Sequence, residues 1–258
     1  MRYRKNKLRR AAAIHQLILE GGTMNDQHVQ GILSRVGAII TDSHIVYTSG
    51  KHGSAYVNKD ALYPHTRETS ELCLLIAERF ADDKIDVVIA PAVGGIIMSQ
   101  WIAFHLTKIT GRDVLGVYAE KEVGSFRHPD SIGKLDVPIK MAYEETGRFV
   151  IKRGYDKLVK GKNVLVVEDV LTTGESARKV VVAVRAIGGN VIGVGALCNR
   201  GNVTSANLSV PKFFALIDVD MGAWAEEFCP FCKRGDRINT DVGKGRDYLA
   251  RKEVAKNL

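Results

Sequence analysis

Apolar residues in this chain fall into short runs rich in Val and Ile, separated by stretches of helical period. Asp86-Val87-Val88-Ile89-Ala90 and Val164-Leu165-Val166-Val167 are too short for helices and read as strands buried on both faces. Between Glu68 and Asp82, the residues Leu72, Leu75, Ile76 and Phe80 share one helix face. Ser176 to Ile187 has the length of a helix, and Gly188-Gly189 closes it. Asn190 onward (Val-Ile-Gly-Val-Gly-Ala-Leu-Cys) reads as another strand. Strand, helix and strand within about 35 residues form a βαβ unit, which requires parallel strands. Further strands are expected near 113, 148 and 212, a helix over Met24 to Val36 capped by Thr23 or Asn25, and short strands over 38 to 58. The expected fold class is α/β, with a central mostly parallel sheet flanked by helices.

In such sheets ligands bind beyond the carboxyl ends of the strands. After Val164–Val167 come Glu168, Asp169, Val170, Leu171, Thr172, Thr173, Gly174, Glu175 and Ser176. The turn at Thr172-Thr173-Gly174 presents the unpaired N–H groups of a helix start, whose dipole favours an anion by roughly 0.3–1 kcal/mol. Thr172, Thr173 and Ser176 add hydroxyl donors, and Gly174 permits positive φ or close backbone approach. Glu168 and Asp169 would repel a phosphate. They can accept hydrogen bonds from vicinal sugar hydroxyls or hold a hydrated magnesium ion. The pattern suits a phosphorylated sugar. No Gly-Lys-Ser/Thr sequence occurs, which excludes a Walker loop.

This stretch resembles the phosphoribosyl diphosphate (PRPP) signature of the type I phosphoribosyltransferases. Other segments agree, in the family's order, over roughly residues 25 to 220. Thr48 to Asp60 (Thr-Ser-Gly-Lys-His-Gly-Ser-Ala-Tyr-Val-Asn-Lys-Asp) is similar to the hood motif of orotate phosphoribosyltransferases, which places Tyr56 and Val57 at the base. Pro91-Ala92-Val93-Gly94-Gly95 resembles the pyrophosphate loop. Tyr118-Ala119-Glu120-Lys121-Glu122 resembles the strand end carrying a PRPP-contacting lysine, here Lys121. Asn199-Arg200-Gly201 places at Arg200 the arginine that pairs with the orotate carboxylate, a role suited to its planar fork. The resemblance implies orotate as the base, magnesium carried by PRPP with no direct protein ligand, Lys121 and Asp169 as catalytic residues, and a homodimer.

The chain departs from the family in three places. Gly94 stands where a lysine is common, leaving the backbone N–H groups of Gly94 and Gly95 as a possible anion nest. Gly53 replaces a common hood serine. Residues 122 to 149 show little periodicity and read as a long loop, the place of the family's mobile catalytic loop. Its usual Lys-x-His-Gly pattern is missing, and Arg127, His128 and Lys134 are the available substitutes.

Composition adds bounds. The 258 residues are 45% hydrophobic and 26% charged, ordinary for a globular protein, and suffice for one α/β domain with additions. Net charge is +8, of which six positive charges fall in the first ten residues. That arm is expected to be solvated, without the interleaved aromatics of a nucleic-acid stacking surface. The expected division is an arm over 1–22, a phosphoribosyltransferase domain over 23–220 with its hood at about 23–62, and a C-terminal extension over 221–258. No apolar run reads as a secretory signal or a membrane span, so the cytoplasm is expected. Cys73 and Cys198 lie in apolar patterns and read as core thiols. Cys229-Pro230-Phe231-Cys232 is a single C-x-x-C pair, read as a tight turn. A zinc site would need two more ligands, and no second pair stands near in sequence, so sharing across a dimer is the open route.

The reading is transfer of a phosphoribosyl group from PRPP to a base, orotate first, with a purine as the alternative acceptor. A PRPP-sensing, nucleic-acid-binding regulator is the alternative of another class, supported by the basic arm alone.

Overall fold

The computed structural model describes residues 23–127, 141–219 and 222–256. The basic arm, His128 and Lys134 lie outside them. The chain divides into two compact units, Thr69–Ala215 and a second made of Met1–Glu68 with Leu216–Leu258. In chain order the elements are α1 (Thr23–Arg35), β1 (Ile39–Ile40), β2 (Ile45–Val46), β3 (His52–Gly53), β4 (Tyr56–Val57), α2 (Lys59–Leu62), α3 (Thr66–Arg79), β5 (Val87–Pro91) and α4 (Gly95–Thr110). They continue with β6 (Leu115–Arg127), β7 (Met141–Val150), α5 (Tyr155–Val159), β8 (Asn163–Leu171), α6 (Glu175–Ala186), β9 (Asn190–Asn199), α7 (Ser205–Leu208), β10 (Phe213–Asp218), β11 (Ala223–Trp224), α8 (Pro230–Arg234) and α9 (Gly245–Lys256).

A six-stranded sheet runs in the order β10-β9-β8-β5-β6-β7. Strands β9, β8, β5 and β6 are mutually parallel, and β7 pairs antiparallel with β6. All five residues of β5 are buried, as are Val164–Asp169 of β8, because helices cover the sheet. One cluster joins Val87, Ile89, Val164, Val166, Val194 and Ala196 of the strands to Ala177, Val180, Val181 and Val184 of α6. From β5 the chain crosses through α4 to β6 on one side. From β8 it crosses through α6 to β9 on the other. Strand order therefore reverses between β5 and β8, the place where an open α/β sheet leaves a ligand crevice.

The stretch read as a long loop over 122–149 is largely paired strand. β6 runs to Arg127 and β7 starts at Met141, in register from Arg127↔Met141 to Glu120↔Val150 with a bulge between Lys121 and Val123. Residues 143–148 are exposed, as are Lys121, Val123 and Ser125. An arm with water on its faces needs no period-two apolar pattern, so periodicity could not reveal it. Polar cross-strand pairs hold it instead, among them Lys121 Nζ to Glu145 Oε2 at 2.9 Å and Arg148 Nη2 to Glu122 Oε2 at 2.7 Å.

In the other unit, β1 pairs with β4, and a three-stranded sheet runs β11-β3-β2. Hood and C-terminal extension thus belong to one unit, and the extension contributes β11 to the hood sheet. Gly53 is accounted for here: a Cβ on it would sit 2.1 Å from the Tyr47 hydroxyl, which donates to the Ala55 carbonyl at 2.7 Å. No helix among the described residues is long and apolar enough to cross a membrane.

Candidate active site

The cradle is built by β8, the turn after it and the first turn of α6. β8 runs four residues further than its apolar core, because pairing to β9 continues through Val170↔Cys198 and Leu171↔Asn199. Glu168 and Asp169 are therefore strand residues, buried at the rim rather than placed beyond it. Their carboxylates turn back on the backbone: Asp169 N–H donates to Glu168 Oε1 at 3.1 Å and Val170 N–H to Asp169 Oδ1 at 2.7 Å. Both acids are thereby fixed in orientation.

Gly174 caps α6 at φ 72°, a left-handed conformation that a side chain would strain. A Cβ there would also sit 3.0 Å from Val203 and Leu208 side-chain carbons. Exposed Thr172, Thr173, Glu175 and Ser176 surround a cavity of about 120 Å³ lined also by Glu168, Leu171 and Gly174. Thr173 Oγ1 accepts weakly from Glu175 N–H at 3.3 Å, so an incoming anion would compete with that bond. The negative charge of Glu175 is offset by Lys179, whose Nζ lies 2.7 Å away and whose hydrogen bond holds the carboxyl below its usual range.

Arg200 leaves the end of β9 and meets the cradle. Its N–H donates to the Leu171 carbonyl at 2.9 Å, and its Nε–H donates to Thr172 Oγ1 at 2.8 Å. The candidate phosphate turn and the candidate carboxylate binder are thus directly bonded. Two neighbours of Arg200 in its motif, to which the sequence reading gave no role, make this possible. A Cβ on Gly201 would fall 1.5 Å from the Thr172 carbonyl oxygen, so only glycine lets the two loops touch. Buried Asn199 closes the loop carrying Arg200, donating through Nδ2 to the Val203 carbonyl at 3.1 Å and accepting from Val203 N–H at 3.0 Å. The available signal was a polar residue ending an otherwise apolar strand.

The pyrophosphate-loop candidate leaves β5 next to β8. The Ala92–Val93 peptide is cis. Gly94 is helical at φ −59° and caps the start of α4, so the glycines offer helix-start N–H groups rather than a nest of alternating hand. Gly95 is there for packing: a Cβ would lie 2.7 Å from Ala90 Cβ. Lys121 is on β6, one strand beyond β5, and its ammonium is paired with Glu145 across to β7. Tyr56 and Val57 sit on β4 opposite Ile40 and Ile39, Val57 buried and Tyr56 half-buried. Of the substitutes for the loop lysine, Arg127 ends β6.

A family model described as "Phosphoribosyl transferase domain" matches residues 59–230. The orotate phosphoribosyltransferase of Pelotomaculum thermopropionicum is 36% identical over 212 residues, 82% of this chain and 94% of that protein. That of Thermus thermophilus is 33% identical over 201 residues, 78% of this chain and 92% of its own length. Among solved structures, Mycobacterium tuberculosis H37Rv orotate phosphoribosyltransferase in complex with Fe(III) dicitrate is similar at a TM-score of 0.53 and 21% identity, covering 76% of this chain and 97% of that one. That likeness carries the fold, and the sequence relatives carry the family. By the family model and these sequence relatives, this chain belongs to the orotate phosphoribosyltransferase family of type I phosphoribosyltransferases.

Proposed function

We propose that the protein transfers the 5-phosphoribosyl group of PRPP to orotate, giving orotidine 5′-monophosphate and diphosphate. The observation that carries this reading is the Arg200 to Thr172 hydrogen bond, which joins a guanidinium suited to a carboxylate directly to an anion cradle. In the reaction the bond from the anomeric carbon to the diphosphate oxygen breaks, its electron pair leaving with the diphosphate, and a bond to the base nitrogen forms as that nitrogen gives up its proton to solvent. The turn Thr172–Ser176 holds the 5′-phosphate through N–H and hydroxyl donors. Glu168 and Asp169 accept from the ribose hydroxyls and stabilise positive charge gathering on the ring. Helix-start N–H groups at Gly94 and Gly95, with Lys121, receive the diphosphate. Lys121 must leave Glu145 to do so, which costs little, because an exposed pair is worth about 0–1 kcal/mol. Tyr56 and Val57 are assigned to the base on their motif alone.

Hydrated magnesium carried by PRPP fits the rim, where the carboxylate oxygens of Glu168 and Asp169 can accept from its water ligands without ligating it directly. Brought in by PRPP, it would supply charge neutralisation at the leaving diphosphate. The work of the chain itself is positioning and fixed electrostatics. A cytoplasmic homodimer is part of the same proposal and rests on family resemblance.

The test is a panel of bases with magnesium PRPP, following loss of orotate absorbance, on wild type, Arg200→Ala and Thr172→Val. Orotate turnover is expected. Arg200→Ala should raise the KM for orotate roughly 10- to 100-fold, the value of one or two charged hydrogen bonds, and move the KM for PRPP much less. Thr172→Val removes the bond between the two residues while keeping the guanidinium, and should weaken PRPP more than orotate. Turnover of a purine without orotate would overturn the acceptor, and equal losses for both substrates in Arg200→Ala would overturn its carboxylate role.

A further inference from the structure

The C-x-x-C pair does not stand alone. Cys229 and Cys232 converge with His44 and His52, and one ligand atom from each lies within 4.8 Å of the others. His44 Nε2 is 2.8 Å from His52 Nδ1, 3.6 Å from Cys229 Sγ and 3.5 Å from Cys232 Sγ, and His52 Nδ1 is 3.2 Å from Cys232 Sγ. Tetrahedral zinc with bonds of about 2.0–2.1 Å to nitrogen and 2.3 Å to sulfur separates its N and S ligands by about 3.5 Å and two nitrogens by about 3.3 Å. The nitrogen–sulfur distances already match, and the two imidazoles need to part by about half an ångström. His44, His52 and Cys229 are buried, and Cys232 is half-buried.

The surroundings orient the donors. His44 Nδ1 lies 2.9 Å from the Asp236 carbonyl oxygen, which can only accept, so Nδ1 carries the proton and Nε2 presents its lone pair to the cluster. The His44 ring stacks on Phe231 between the two cysteines, at 5.5 Å and 22°. Cys229 precedes α8 and Cys232 lies within it, one turn apart, with Lys233 N–H donating to the Cys229 carbonyl at 3.1 Å. Four protein ligands of two imidazoles and two thiols leave no position for a substrate, which is the pattern of a structural and not a catalytic zinc.

The fold has a use for such a clamp. In the described part of the C-terminal segment beyond residue 221, Cys229 is the one fully buried apolar residue, while Phe228, Leu249 and Val254 are exposed. The segment is joined to the hood by the β11–β3 pair, the His44↔Ile238 bridge and bonds such as Lys244 N–H to the Val46 carbonyl at 2.7 Å. A segment with so little apolar burial generally depends on a staple.

We propose that His44, His52, Cys229 and Cys232 hold one structural zinc ion that pins the C-terminal segment to the hood. On binding, each thiol releases its proton to solvent as its sulfur ligates, and His52 moves the proton that faces His44 Nε2 from its Nδ1 to its Nε2, so that Nδ1 can ligate. A redox pair is the competing use of C-x-x-C. It gives no reason for two imidazoles to converge on the two sulfurs.

Full-length protein, reduced and stripped with a chelator, would be titrated with cobalt(II), a spectroscopic stand-in for zinc, alongside metal analysis of the protein as purified. The expected results are one zinc per chain, saturation at one cobalt per chain with intense red-visible bands and a sulfur-to-metal charge-transfer band, and a lower thermal midpoint after stripping that zinc restores. Cys232→Ser, close to isosteric, should lose most of the charge-transfer intensity. Even if it fails to fold, the wild-type titration decides. A Cys229–Cys232 disulfide in the purified protein, absence of stoichiometric cobalt binding to the reduced chain, or a full charge-transfer band in Cys232→Ser would overturn the proposal. Orotate turnover bears on none of these readouts, so the site and the enzymatic reading stand or fall separately.

Discussion

The residues that define the site differ in how they are held, and the difference sets what each substitution reports. Asp169 is buried at the strand end, and Val170 N–H donates to its Oδ1 at 2.7 Å. Asparagine keeps an oxygen for that donor and removes only the charge. Asp169→Asn is therefore expected to leave the thermal midpoint within a few degrees and to lower kcat/KM for PRPP by roughly 10- to 100-fold, with any base, as loss of a charged hydrogen bond does. Steady-state kinetics beside a melting curve check it, and a folded variant with unchanged PRPP kinetics would remove Asp169 from the ribose site. Arg200 and Thr172 were legible as residue types in motifs. Their direct bond was not, because sequence separation of 28 residues carries no sign of contact.

Among the elements, the loops at the ends of β8 and β9 meet through Gly201. Gly201→Ala would place a methyl 1.5 Å from the Thr172 carbonyl oxygen, so one of the two loops must move. A cost of about 1–3 kcal/mol is expected from overpacking. Unlike Arg200→Ala, this change should raise KM for PRPP and orotate together, since it displaces both Thr172 and Arg200. Parallel urea unfolding and kinetics measure the two effects. The buried strands β5 and β8 were readable from their Val and Ile runs, as was α6 from its length and closing glycines. The β6–β7 arm was not, because exposed strands held by ion pairs lack an apolar rhythm, and the last four residues of β8 were not, because pairing with β9 rather than hydrophobicity extends them.

At the scale of the whole molecule, the end of the sheet unit that carries the candidate site and its stabilising core are separate. Phe80 is fully buried, its ring lying against β9 where Gly193 and Gly195 carry no side chain and under Lys212 Nζ at 4.6 Å. These contacts lie toward the start of β9, whereas Arg200 follows its end. Phe80→Ala is expected to destabilise by about 3–5 kcal/mol, read as a lower urea midpoint, with little change in KM for the fraction that stays folded. The sequence by itself determined the fold class and the family and marked the candidate cradle, because buried strands, a helix start and the signature residues are local patterns written in neighbouring residues. Only the tertiary structure decided that strand order reverses between β5 and β8, that Arg200 bonds to Thr172, and that His44 and His52 meet a C-x-x-C pair some 180 residues later. Those facts depend on which distant segments pair, and pairing is settled by burial and backbone hydrogen bonding across the whole chain.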